Sequence, residues 1–226
     1  MRAMTPGARA GFAAVIALLV SAPAAWAHGA LEVLVARTAL NQLAVDAHLD
    51  EAVHVPRSVF PNLEGYATPS IGFEDLPLDD PDHGLFVIST SAVVRVWLLS
   101  ADPEVSLYDG FNQVPVGGTL TLGSASFDFH PLFNIAPTAS PGQEFSVVVQ
   151  FEDTSGTYLT SDPITILVTP ACAADIDLSG TLSVQDIFDF LGLFFAGLPR
   201  ADINGVGGVT VQDIFDFLEA YFEPCP

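Results

Sequence analysis

The sequence predicts a mainly β N-terminal domain, an antiparallel β-sandwich, followed by a small all-α C-terminal module. Short runs rich in Val, Leu and Ile, separated by Gly, Pro and Asp, fill the chain up to about residue 169. No helical period is found among them, and beyond Pro170 the apolar spacing switches to one.

The β reading rests on particular segments. Leu31 to Ala36, Gln42 to Ala47, Leu85 to Thr90 and Val93 to Leu99 each have the length and composition of a strand. Phe145 to Phe151 places Phe145, Val147, Val149 and Phe151 on one face, as the two-residue period of a half-buried strand requires. Asp153 to Gly156 reads as a turn, and Tyr158 to Val168 as further strand. The acidic, proline-bearing stretch Phe73 to His83 reads as a solvated loop in preference to a further metal site. Pro170 with the small residues Ala171, Ala173 and Ala174 marks the boundary, giving domains at 28–169 and 170–226.

Residues 1–27 read as a secretory signal peptide. Arg2 and Arg9 precede the apolar run Phe12 to Val20, and Ala25-Trp26-Ala27 fits the cleavage pattern. The expectation is therefore a secreted, extracellular protein without a transmembrane segment after cleavage. Past the leader, Arg37, Arg57, Arg95 and Arg200 stand against all 27 Asp and Glu of the chain. A surface this acidic repels phosphate backbones, which argues against a nucleic-acid partner and suits a cation such as calcium or a salty habitat.

The two cysteines, Cys172 and Cys225, bracket the C-terminal module. In an exported chain the pattern favours a disulfide over two free thiols, and such a loop closure contributes roughly 4 kcal/mol on the chain-entropy account.

Inside that bracket the octapeptide VQDIFDFL occurs twice, at Val184 to Leu191 and Val211 to Leu218, 27 residues apart. Ile187, Phe190, Leu191 and Phe194 form a helical stripe, and Ile214, Phe217, Leu218 and Tyr221 form its counterpart. Each copy follows a loop of oxygen donors. Counting Asp175 as position 1, Asp175, Asp177, Ser179, Thr181 (through its carbonyl), Ser183 and Asp186 stand at positions 1, 3, 5, 7, 9 and 12. Gly180 holds position 6, where a calcium loop turns sharply. Asp202, Asn204, Gly208 (carbonyl), Thr210 and Asp213 repeat the order, but Val206 at position 5 has no side-chain oxygen. Calcium takes six to eight oxygens at about 2.3–2.6 Å, so one or two ions are expected, with the second site weakened.

This tandem resembles a type I dockerin, in the cysteine-flanked form found on exported planctomycete proteins. The resemblance covers Cys172 to Pro226, about a quarter of the chain. It implies a calcium-binding module that docks a cargo protein through a cohesin-like or other scaffold or cell-surface partner. Partner contacts would fall on Val184, Gln185 and Phe188 and on Val211, Gln212 and Phe215. Cellulosomal dockerins carry small hydroxyl residues just before the last ligand and basic residues further along; this chain has Val-Gln there and no basic residue on either helix. The apolar content exceeds what one stripe needs: Phe188 and Phe195 point away from it, which predicts an exposed apolar patch. The N-terminal region is similar to uncharacterised exported β domains of the same group.

That region shows no catalytic constellation, so a non-catalytic cargo domain of unknown ligand is expected. A polysaccharide-related enzyme and an inert surface protein are the alternatives. For the enzyme, leader cleavage exposes His28, whose imidazole and α-amine with His48, His54, His83 or His130 suit copper.

Overall fold

The computed structural model describes residues 31–223. The expected leader, His28 and Cys225 lie outside the described residues, and the Cys172–Cys225 bridge with them; among the described residues there is no free cysteine.

In chain order the strands are β1 (Leu31–Thr38), β2 (Leu43–Asp46), β3 (Val53–Val55), β4 (Tyr66–Thr68), β5 (Ile71–Asp75), β6 (Leu85–Phe86) and β7 (Val93–Ala101). They continue as β8 (Val105–Asp109), β9 (Asn112–Val114), β10 (Thr119–Ser124), β11 (Asp128–Phe129), β12 (Leu132–Ile135), β13 (Phe145–Asp153) and β14 (Ile164–Pro170). Two helices follow, α1 (Val184–Ala196) and α2 (Val211–Phe222). The described residues are thus β-rich, with their helices confined to the C-terminal end.

The strands form three sheets, ordered β11-β5-β1-β2 with β6 beside β1, β10-β7-β13-β14-β3, and β4-β12-β8-β9. One apolar core serves all three: Val33, Val35 and Phe73 of the first, Val96, Phe151 and Ile166 of the second, and Phe133 and Ile135 of the third are fully buried. The alternation read in Phe145 to Phe151 is present, with Val147, Val149 and Phe151 inward. Phe73 meets Phe151 edge to face at 5.5 Å, so one aromatic pair joins the first two sheets.

Four expectations need correction. Most strand pairs are antiparallel, but β1–β5 and β14–β3 are parallel. Both join segments distant in the chain, where no tight turn dictates direction. Phe73 to His83 is not all loop: Phe73 to Asp75 belong to β5, because Ile71 and Phe73 alternate into the core. The strand expected over Leu85 to Thr90 stops at Phe86, since the Val87 and Ser89 amides donate to Asp79 Oδ1 and the Tyr158 hydroxyl instead of to a neighbouring strand. The strand expected from Tyr158 begins only at Ile164. The buried Asp153 carboxylate explains this, holding the intervening turn through the amides of Ser155, Thr157 and Tyr158 and the Ser155 hydroxyl.

The C-terminal module builds its own small core from Ala174, Ile176, Phe190, Ala201 and Phe217. It joins the β region without a free linker: after β14 the Ala171 amide donates to the Val55 carbonyl, extending the β3 pairing into the module. The α1 helix ends on Gly197, whose left-handed φ of 65° lets its amide reach the Leu193 and Phe194 carbonyls. Of the two expected stripes, Ile187, Phe190, Leu191 and Phe194 line this core, as do Ile214, Phe217 and Tyr221. Leu218 is the exception and is exposed.

Candidate metal centre and docking face

The first loop draws its donors together. One carboxylate oxygen from each of Asp175, Asp177 and Asp186 lies within 4.8 Å of the other two. Backbone amides position them. Asp175 accepts from Ser179 N at 3.0 Å and Gly180 N at 2.9 Å, and Asp177 accepts from Ser179 N at 3.0 Å. Asp186 accepts from Ile176 N at 2.8 Å, Asp177 N at 3.3 Å and Ser183 N at 2.8 Å. Asp186 thus closes a capping box at the head of α1 while also facing the start of its loop. The chain turns at Gly180 with φ 79° and at Leu178 with φ 62°, the latter a conformation unfavourable to a side chain. The Ser179 hydroxyl lies 3.1 Å from the Thr181 carbonyl oxygen, so both expected donors face the same space.

Gathering three carboxylates is unfavourable unless something offsets their repulsion. Burial raises the Asp175 pKa above its ordinary value, against the opposing hydrogen bond from Gly180. Asp177, more exposed, is lowered, chiefly by its hydrogen bond to Ser179. Arg200 supplies a nearby positive charge: it donates to the Ile176 carbonyl at 2.7 Å, and burial lowers its own pKa against the pull of Asp175 and Asp177. A hard cation meets this donor set well, because converged carboxylates, a hydroxyl and a carbonyl are what calcium takes. Asp175, Asp177, Ser179, Thr181 and Asp186 would hold it. Ser183 instead spends its hydroxyl on Gln185 N at the helix cap.

The second loop repeats the bonding 27 residues on. Ile203 N and Thr210 N donate to Asp213 at 2.9 and 2.7 Å, as Ile176 and Ser183 do to Asp186. Val206 N donates to Asp202 and Asn204 at 3.0 and 2.8 Å, as Ser179 does to Asp175 and Asp177. Gly205 and Gly207 take the left-handed conformations of Leu178 and Gly180. Burial would raise the Asp213 pKa, yet the hydrogen bonds from Thr210, Asn204 and Ile203 bring it below its ordinary value. The Val206 side chain is exposed and gives nothing to the loop interior. Asn204 in place of an acid leaves Asp202 and Asp213 as the loop's carboxylates, and its amide nitrogen is taken by Asp216 at 2.6 Å.

The helices meet through equivalent residues. Phe190 and Phe217 stack with centroids 4.1 Å apart and planes 5° from parallel. Contact between repeat-related rings is what a pseudo-twofold axis between the helices produces. The outer faces match too. Phe188 is 64% exposed and Phe215 61%, and Val184, Val211, Phe195 and Phe222 are exposed likewise. Phe195 and Phe222 meet Phe194 and Tyr221 edge to face at 5.6 and 5.5 Å and still stand 81% and 80% exposed. Gln185 and Gln212 each donate to the aspartate four residues on, Asp189 and Asp216, at 2.8 and 2.9 Å. The six expected partner residues therefore sit on two similar apolar faces fixed at polar points.

Sequence reasoning missed Asp189, Asp216 and Arg200, and offered His54 only as a copper candidate. The aspartates were visible inside the repeated octapeptide, and Arg200 as the lone cation of the module. Nothing in the sequence placed His54 beside the first loop: its ring lies against Gly180, so a Cβ there would stand 2.7 Å from Nε2. As for copper, His83 pairs with Asp80 and His130 with Asp128, and His28 lies outside the described residues. No helix among the described residues is long and apolar enough to cross a membrane.

Comparison of the chain with protein-family models, with curated proteins and with solved structures gave no match in any of the three.

Proposed function

We propose that this is an exported, non-catalytic protein whose C-terminal module is dockerin-like. In this reading calcium stabilises the module, which attaches a β-sandwich cargo domain to a cohesin-like scaffold or other surface partner. The observation that supports it is the duplicated site: two loops with four internal hydrogen bonds in common and two helices with similar exposed faces, in one register of 27 residues. The last ligand of each loop is also the first-turn acid of its helix, so an ion held there fixes where the helix starts and which way Phe188 or Phe215 faces. Metal binding and presentation of the docking face are thereby one event.

The test is capture from the producing cell with the full chain, in calcium and in chelator. One scaffold protein retained only in calcium, and lost when Phe188 and Phe215 are both changed to Ser in a chain that still binds calcium, is the expected result. Equal capture in chelator, or capture by the doubly substituted chain, refutes docking through these faces.

A further inference from the structure

A cavity of about 980 Å³ lies apart from the helix faces and touches the first metal loop at Leu178 and Ser179. It lies where the start of β1, the connection from β2 to β3, and the paired ends of β3 and β14 meet the outside of the first loop. Asp46, Asp50, Glu51 and Glu144 line it, together with Glu32, His48 and His54, and no Lys or Arg does. None of the four takes part in an ion pair among the described residues. Thr169 also lines it, opposite His54 in the β14–β3 register and only 4% exposed. The Thr169 hydroxyl is the one buried side-chain polar atom among the described residues without a hydrogen-bond partner. Leaving such a group unpaired is unfavourable, so a native structure that keeps one beside a cavity points to something that reaches it.

The chemistry narrows what that is. An anion would face five carboxylates with no Lys or Arg to meet it. A single metal ion needs converged donors, and among the described residues only Asp175, Asp177 and Asp186 converge within 4.8 Å. Carboxylates dispersed around one cleft suit instead several positive charges borne at intervals on one ligand. An ammonium group donates three hydrogen bonds, and a hydroxyl with two free lone pairs accepts one.

We propose that this cleft binds an alkylammonium ligand, with separate carboxylates taking its amines and Thr169 Oγ1 accepting from the innermost. The ammonium groups come from a free polyamine or from lysine side chains of another protein, and the experiment has an arm for each. The full chain, with calcium in excess, is titrated calorimetrically with spermidine and with trilysine. Saturable binding of either supports the proposal, and the tighter of the two identifies the source.

Thr169→Val keeps the shape and removes the hydroxyl; it should weaken binding about tenfold while leaving thermal stability unchanged or raised. Thr169→Ser should restore the affinity. Asp50→Asn with Glu51→Gln should weaken binding more than Asp109→Asn with Glu219→Gln, which removes the same charge elsewhere. Absence of saturable binding, undiminished affinity in Thr169→Val, equal weakening by both acid pairs, or binding only of an uncharged oligosaccharide such as cellohexaose would each overturn it.

Discussion

The stacked rings of Phe190 and Phe217 allow a quantitative test of how the two repeats pair. Each ring is 1% exposed and the centroids are 4.1 Å apart. Truncation of a buried Phe to Ala costs about 3–5 kcal/mol, a large part of the stability of a module this small. Phe190→Leu and Phe217→Leu are therefore the better perturbations, at about 1–3 kcal/mol each. If the rings are true partners, the first substitution already removes part of what the second would lose. The double variant should then cost less than the two singles together by about 0.5–1.5 kcal/mol, the worth of an aromatic pair beyond its area. Calorimetric unfolding of the full chain at saturating calcium gives the three values, with the module's transition resolved by its shift in chelator. Additivity within about 0.3 kcal/mol would mean the rings do not touch, and the pseudo-twofold pairing of the helices would fall with it.

Calorimetric titration with calcium should show one site tighter than the other, and Asp186→Asn should remove the tighter while Asp213→Asn removes the weaker; two equal sites would contradict the role given to Val206. Gly180→Ala places a Cβ 2.7 Å from the His54 ring at a φ of 79°, so it should destabilise the module, and His54→Ala should relieve the clash but leave the backbone strain of about 1–2 kcal/mol. Asp153 is held below its ordinary value of 3.8: burial opposes this, but the hydrogen bonds from Ser155, Val93 and Thr157 outweigh it. Its folded pKa being depressed, its contribution is complete above the unfolded value and lost as pH falls through the folded one. Asp153→Asn should cost about 2–3 kcal/mol at neutral pH and flatten that part of the acid limb of the stability curve. Arg200→Met should lower metal-free stability more than calcium-loaded stability, because an ion takes over the neutralisation of Asp175 and Asp177.

The β region was legible where one face is buried and opaque where it is not. Phe145 to Phe151 announces itself by alternation, whereas β3, β6 and β11 have two or three residues each and take their conformation from their neighbours. The failures at Val87 and Tyr158 share one cause. Val87 N and Tyr158 N are claimed by the side chains of Asp79 and Asp153, which are distant or acidic-turn residues that a window of apolar letters cannot weigh. Phe73 was misread for the opposite reason. The acids after it dominate the composition, but burial of a single aromatic ring outweighs them in deciding where the strand lies.

The candidate loops were more legible than the fold, and the reason lies in which atoms build them. Ligand positions are set by spacing along one short segment, so identity and interval suffice to find them; the cleft around Thr169 draws on β1, β3, β14 and the first loop, and no interval encodes it. The same distinction explains how the second loop tolerates Val206. Position 5 contributes its backbone amide to the loop's shape, to Asp202 and Asn204 as Ser179 does to Asp175 and Asp177. Only its side chain would serve the proposed ion. Substitution there removes an oxygen but none of the bonds that set the turn, so the helix it precedes keeps its start, its cap and its exposed Phe215. Divergence at a ligand is compatible with an unchanged outer face because the two properties reside in different atoms of the same residue.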